Sequence, residues 1–133
     1  MNDTKFTRRE VLKTGCVLAA GIAAPTVITS TALGGAAKAA ASERITVGHI
    51  GVGGRGRDLF GGVRGLADAQ SVAVADCYED RRTAMAAVCG GKAYKDFREM
   101  LERDDIDAVV IATADHQHVP IANMAARKKK SAY

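Results

Sequence analysis

The sequence predicts an α/β fold: a doubly wound parallel sheet, incomplete at its C-terminal end. Three observations predict it. Three short runs, Ile45–Ile50, 71–75 and 108–112, are apolar at nearly every position. Such runs suit strands buried on both faces, as in a parallel sheet covered by helices. Stretches with helical patterning separate them, so strand and helix alternate. The first run leads straight into Gly51-x-Gly53-x-x-Gly56, a glycine-rich turn that opens a helix.

At 133 residues the chain has the length of one domain. Its formal charge of +4 does not mark a nucleic-acid binder, because most of the excess lies in residues 1–41. There Lys5, Arg8, Arg9, Lys13 and Lys38 outnumber Asp3 and Glu10, and residues 42–133 are close to neutral. The one basic run, Arg127-Lys128-Lys129-Lys130, ends a predicted helix, where cations complement the helix dipole. No aromatic residue or second basic cluster supports a nucleic-acid patch.

Residues 1–41 read as an export signal. Thr7-Arg8-Arg9-Glu10-Val11-Leu12-Lys13 resembles a twin-arginine motif. An uncharged stretch follows over 14–37, then Ala37-Lys38-Ala39 and Ala39-Ala40-Ala41, both small-x-small cleavage patterns. Gly, Thr, Ser and Pro25 make the stretch weakly apolar for a membrane span. Cys16 precedes that stretch instead of following it, which excludes a lipoprotein reading. These residues predict the twin-arginine export machinery as a partner and a periplasmic or extracellular destination. Twin-arginine substrates cross folded, a route suited to a protein that loads its cofactor first.

Residues 42–133 form the predicted domain. Ile45–Ile50 is its first strand, with His49 packed inside as a neutral side chain. Gly51 permits the tight turn, Gly53 lets a pyrophosphate approach the backbone, and Gly56 lets the helix sit close to the strand. Gly51, Val52, Gly53, Gly54, Arg55 and Gly56 are the candidate pyrophosphate contacts. The helix over 55–66 points its free N–H groups at them, with Arg55 and Arg57 at the mouth.

The second strand, 71–75, ends at Asp76, twenty positions after Gly56. That is where the Rossmann fingerprint places the acid that holds the adenosine ribose. A carboxylate there favours NAD. Arg81 and Arg82 follow closely and could pair with a 2′-phosphate, which leaves NADP open.

A helix is predicted over Glu79–Cys89, stopped by Gly90-Gly91, followed by a short edge strand at Lys92–Tyr94. Asp96 caps a short helix over 97–103, with Glu99 placed for a capping box. The strand over 108–112 leads into Thr113-Ala114-Asp115-His116-Gln117-His118. Ligands of such sheets gather beyond the carboxyl ends of strands, so this segment belongs at the nucleotide. Asp115 is placed to cap the next helix, with Pro120 in its first turn and His118 near the crevice. Lys130-Ser131-Ala132-Tyr133 begins a further strand. Cys77 and Cys89 lack a zinc pattern. A disulfide between them is open in an oxidising compartment. No metal site is predicted.

Three segments in order carry a family resemblance: Ile50-Gly51-Val52-Gly53-Gly54-Arg55-Gly56-Arg57, Val72-Ala73-Val74-Ala75-Asp76, and Ala112-Thr113-Ala114-Asp115-His116-Gln117-His118. Together they resemble the N-terminal, NAD(P)-binding half of the Gfo/Idh/MocA (glucose–fructose oxidoreductase / inositol dehydrogenase) family, over about residues 44–133. The resemblance implies a Rossmann-type domain and hydride transfer between a nicotinamide and a sugar or polyol. It implies that Thr113, Asp115 and His118 stand at the nicotinamide side, from a motif usually written Thr-Pro-Asp/Asn-x-x-His; Ala114 replaces its proline. The family usually has a glycine where this chain has Lys129.

Its Glu-Lys-Pro motif and substrate domain are expected beyond Tyr133, so no catalytic residue is assigned. The expected function is therefore an NAD(P)-binding part of an exported oxidoreductase, inactive alone. The alternatives are a part of an NAD-dependent glycoside hydrolase of the same superfamily, or a non-enzymatic binding module or pseudogene product. Uncovered sheet edges leave a homo-oligomer or a missing C-terminal partner open.

Overall fold

The computed structural model describes residues 39–133. The twin-arginine motif, the uncharged stretch and Cys16 lie outside the described residues. Among the described residues no helix is long and apolar enough to cross a membrane.

A 3-10 turn at Ala41–Glu43 precedes β1 (Ile45–Ile50). Then follow α1 (Gly54–Arg64), β2 (Ala69–Ala75), α2 (Glu79–Cys89), β3 (Lys92–Tyr94), α3 (Phe97–Leu101), β4 (Ala108–Ile111), α4 (Asp115–Arg127) and β5 (Ser131–Ala132). All strand pairs are parallel, in the order β3-β2-β1-β4-β5. The doubly wound parallel sheet expected from the sequence is the sheet observed. The chain first builds outward from β1 through β2 to β3, then returns to place β4 on the other side of β1. The strand order therefore reverses between β1 and β4, the switch point at which such sheets bind ligands.

Strand alternation divides the core. On one face Ile50, Ala73, Ala75, Val109 and Ile111 pack with Met100 and Leu101 of α3 and Ile121 and Ala125 of α4. On the other, Val74 packs with Val52, Phe60 of α1 and Ala86 of α2, beside Val47 and Val110 under Leu59 and Val63. Helices thus cover both faces, which is why the strands lack a polar side. Gly48 is glycine for room: a Cβ there would meet Met100 Cε at 3.0 Å.

Several boundaries differ from those the sequence predicts. β2 starts at Ala69, ahead of the apolar run, because Ile45 pairs with Ala69 and Thr46 with Gln70, which extends the ladder to the base of β1. Val47 faces Ser71 and Gly48 faces Ala73, so Val72 is the extra residue of a β-bulge. α1 ends at Arg64, capped by Gly65, whose N–H reaches the Gly61 and Gly62 carbonyls. α3 ends at Leu101. Asp96 caps it as expected, accepting from Arg98 N–H at 2.9 Å, but Glu99 makes no reciprocal bond among the described residues.

Asp115 is not the cap of α4. It is the first helical residue, Ala114 holds the cap position without a side-chain bond, and Pro120 lies inside the helix beyond its first turn. Asp115 still places negative charge at the positive end of the helix dipole.

The basic run is used piecemeal. Arg127 closes α4, and Lys128 pairs with Glu102 at 2.6 Å. Lys130 is buried, its Nζ donating to the Arg103 and Ile106 carbonyls.

Candidate functional site

Gly51 and Gly56 are sterically required. Gly51 has φ +81°, and a Cβ on it would approach the Ala112 carbonyl oxygen to 2.6 Å. A Cβ on Gly56 would collide with the Gly51 carbonyl oxygen. The turn between β1 and α1 therefore folds back on itself and against the end of β4, geometry closed to any other residue type. Gly53 and Gly54 differ. A Cβ on Gly54 meets nothing, and one on Gly53 meets only the Arg81 guanidinium, at an ordinary 3.5 Å. The room over Gly53 is free for a ligand.

Asp76 anchors the same turn from the end of β2. Its Oδ2 accepts from Val52 N–H at 2.8 Å and its Oδ1 from Tyr78 N–H at 2.9 Å. The carboxylate is nearly buried, at 9% exposure. It has a structural duty in fixing the glycine turn. Oδ1 also accepts from the Cys77 thiol at 3.7 Å, a weak donor that a ligand hydroxyl can displace, and Oδ2 keeps a further lone pair free. Val52 is fully buried and its N–H is committed to Asp76, so it shapes the turn from beneath.

These groups open onto a cavity of ≈520 Å³ at the carboxyl ends of β1, β2, β3 and β4. Gly51, Gly53, Asp76 and Thr113 all line it. Gly54 and Arg55 are exposed at the α1 N-terminus beside it, where an α-helix leaves its first N–H groups without intrahelical partners. A pyrophosphate laid over Gly53 would meet those N–H groups and the positive end of the helix dipole.

Asp115 and His118 are placed apart from this cavity. Asp115 is exposed and lines neither this cavity nor the hollow beside His118. His118 shares a 3.0 Å hydrogen bond between Nε2 and the Thr113 carbonyl. It faces a smaller hollow of ≈190 Å³ with Ile111, Val119, Ala122, Ala132 and Tyr133. The Thr113–His118 segment thus divides: Thr113, Ala114 and Gln117 face the cavity at the switch point, and His118 faces the β5 side.

Residues not named as individual contacts from sequence also line the cavity at the switch point: Cys77 and Tyr78 after β2, Lys95 and Phe97 after β3, and Gln117 and Ile121 of α4. Their shared signal is position, since all but Ile121 follow a strand end within a few residues. A wider, more open hollow of ≈780 Å³ lies elsewhere, lined by Gln70 to Val72 and Cys89 to Lys92. Those residues lie at or near the starts of β2 and β3, away from the switch point.

His49 is buried at 1% exposure beneath α1. Its Nε2 shares a 2.9 Å hydrogen bond with Ser71 Oγ, and its ring lies 4.8 Å from Phe60. Burial pushes its pKa down from 6.5 to about 4, so it is a neutral core residue at neutral pH. Cys77 and Cys89 are both free. They stand before and at the end of α2, a helix whose rise of about 1.5 Å per residue puts them far beyond disulfide reach. The disulfide left open from sequence is thus excluded.

Residues 45–132 match the family described as "Oxidoreductase family, NAD-binding Rossmann fold", Gfo/Idh/MocA. An inositol 2-dehydrogenase of Rubrobacter xylanophilus is 38% identical over 84 residues, covering 60% of this chain and 23% of that protein. A glycosyl hydrolase family 109 protein of Saccharopolyspora erythraea is 32% identical over 149 aligned positions, covering 94% of this chain and 32% of that protein. Among solved structures, the myo-inositol dehydrogenase of Lactobacillus casei in complex with NAD(H) and myo-inositol superposes with a TM-score of 0.63 at 28% identity, over 67% of this chain and 27% of that one. The chain spans between about a quarter and a third of the length of these relatives.

Proposed function

The chain belongs to the Gfo/Idh/MocA oxidoreductase family, and on that premise we propose that it is the NAD-holding part of an exported enzyme acting on a sugar or polyol. The observation that carries the reading is the cradle itself. Gly51 and Gly56 fold a turn that no Cβ would fit, Gly53 leaves it open, and Asp76 pins it beside a cavity at the switch point. NAD, when bound there, supplies a ring that accepts or returns hydride. The residues of this chain bind and orient. The α1 N-terminus meets the pyrophosphate, Asp76 accepts from the ribose hydroxyls through its remaining lone pairs, and Thr113 and Gln117 border the far end of the cavity.

The inositol dehydrogenase likeness supports a polyol substrate for the whole enzyme. Proton transfer at the reacting hydroxyl is not assigned to this chain, because Asp115 and His118 do not line the cavity at the switch point. Titrating the full chain with NADH by fluorescence tests the reading. Saturable binding without NADH formation on a panel of sugars and inositols is expected. Absence of binding would overturn the cofactor reading, and robust sugar-dependent NADH formation would overturn the claim of inactivity.

A second reading has its own support. The family 109 glycosyl hydrolase relative aligns over 94% of the chain, so the likeness reaches into the first 38 residues. Such an enzyme would cleave a glycosidic bond with no net NADH. Release of free sugar from a glycoside by the full enzyme, with NAD unchanged at the end, distinguishes it from a dehydrogenase.

Export is proposed on the twin-arginine motif. Replacing Arg8 and Arg9 by lysine is expected to leave the chain in the cytoplasm of a host with that machinery. Unchanged export of the variant would overturn the route.

A further inference from the structure

The chain enters the domain through a short bonded turn. Ala39 N–H donates to the Ala67 carbonyl at 3.0 Å, and the Ala39 carbonyl accepts from Arg44 Nε at 2.8 Å. Ala41–Glu43 forms the 3-10 turn that follows, closed by Glu43 N–H on the Ala40 carbonyl at 2.9 Å. Ile45 then opens β1, its N–H bonded to the Asp68 carbonyl at 2.7 Å. Both small-x-small patterns, Ala37-Lys38-Ala39 and Ala39-Ala40-Ala41, run into this turn.

A chain exported folded meets its processing protease folded. Such a protease reads a small residue just before the cut and another two positions earlier. A binding cleft of this kind takes its peptide as an extended strand. For a cut after Ala41, both residues read belong to the bonded turn, and the bond to be cut lies inside the 3-10 segment. Both bonds of Ala39 and the bond from Glu43 to Ala40 would have to open. For a cut after Ala39, the bonds of Ala39 alone must open. The 3-10 turn lies wholly on the far side, and Ala40, at φ −58° and ψ 152°, is already extended.

Reach separates the two cuts further. Ser42 stands three residues before Ile45, and Ala40 five. At no more than about 3.6 Å per residue, the tether from cut to sheet spans about 11 Å after the later cut and about 18 Å after the earlier one.

We infer that the exported chain is cut between Ala39 and Ala40, two residues ahead of the boundary at residue 41 read from sequence. Water is consumed in the step, leaving a carboxylate on Ala39 and an ammonium group on Ala40 as the new first residue. The inference rests on the export reading above.

The test expresses the full chain in a host with the twin-arginine machinery, separates cytoplasm from periplasm, and reads the exported N-terminus by intact mass and terminal sequencing. Chains that begin at Ala40 should outnumber those that begin at Ser42 about tenfold. Ala37→Leu spoils the first pattern and leaves the second intact, so it should be exported and stay uncut. Adding a flexible spacer of four Gly and Ser residues between Glu43 and Arg44 in that variant lengthens the tether and frees the turn. Cutting should return, now after Ala41. Circular dichroism melts report folding of each variant. A wild-type N-terminus at Ser42 or ahead of Ala40 overturns the proposal. So does an exported wild type left uncut, undiminished processing of Ala37→Leu, or a spacer variant that stays uncut. If the wild-type precursor is found in the cytoplasm alone, the export reading fails first and the proposal with it.

Discussion

At the residue scale, two positions show backbone and burial at odds with ordinary preference. Lys129 has φ 58°, the left-handed region that costs a side chain roughly 1 kcal/mol. It is held there by the end of α4: its N–H reaches the Ala126 carbonyl at 2.9 Å, and Lys130 N–H reaches Ala125 at 3.0 Å. That bond pair is the Schellman termination, whose left-handed position glycine normally fills. Lys129→Gly is therefore expected to stabilise the domain by about 0.5 kcal/mol, the relieved strain less the extra freedom glycine has when unfolded. A urea midpoint that falls would contradict it. The departure from family habit at Lys129 was legible in the sequence, and the backbone gives its physical reason.

His49 carries a pH dependence. Its folded pKa of about 4 lies below its ordinary 6.5, because burial disfavours the charged form. The unfolded chain thus binds the proton more readily. Stability is complete above about pH 6.5, falls as pH drops toward about 4, and then levels. Between about pH 7 and about pH 5 the loss should be about 2 kcal/mol, read from urea midpoints, and much smaller in His49→Leu. Equal slopes in the two proteins would assign the acid sensitivity to other groups. That His49 is buried was readable from its place in an apolar strand. Its partner Ser71 was not, because the bulge at Val72 sets which residue of β2 lies opposite.

At the element scale, the sequence marks types better than ends. α2 matches its expected bounds because Gly90, at φ +66°, can stop a helix where other residues resist. Gly91 cannot carry a side chain, as a Cβ would press to 2.7 Å on the Val72 carbonyl. The tight link from α2 to β3 thus depends on two adjacent glycines that were legible as a stop. The end of α1 was less legible, since Gly61, Gly62 and Gly65 all punctuate it, and the cap bonds to the Gly61 and Gly62 carbonyls fall at Gly65.

Helix length also has a chemical consequence. Because α2 separates Cys77 from Cys89, both thiols should react with an alkylating reagent without prior reduction, and reductant should leave the melting temperature unchanged. Exposed Cys77 should react ahead of half-buried Cys89. A peptide map joining the two in a non-reduced sample would contradict this arrangement.

At the scale of the whole molecule, strand order was the least legible feature. The apolar runs of β1, β2 and β4 look alike, and nothing local says that β4 returns to the free side of β1. Once the order is β3-β2-β1-β4-β5, the scattered candidates Gly51, Asp76 and Thr113 converge on one cavity. His118 passes to another because successive helix positions point to different sides.

A site assembled from four strand ends couples its ligand to the whole domain. Unfolding any of β1, β2 or β4 dismantles the cradle, so a ligand that binds only the folded form stabilises all of it. At a hundred times its dissociation constant, NADH should add about 2.7 kcal/mol, equivalent to a melting rise on the order of 10 °C in a domain near this size. Gly56→Ala puts a methyl group onto the Gly51 carbonyl oxygen. It should lower the melting temperature and abolish most of the NADH-dependent rise. Gly54→Ala, whose Cβ meets nothing, should melt near wild type and keep the rise. A rise of equal size in Gly56→Ala would place NADH somewhere other than the glycine turn.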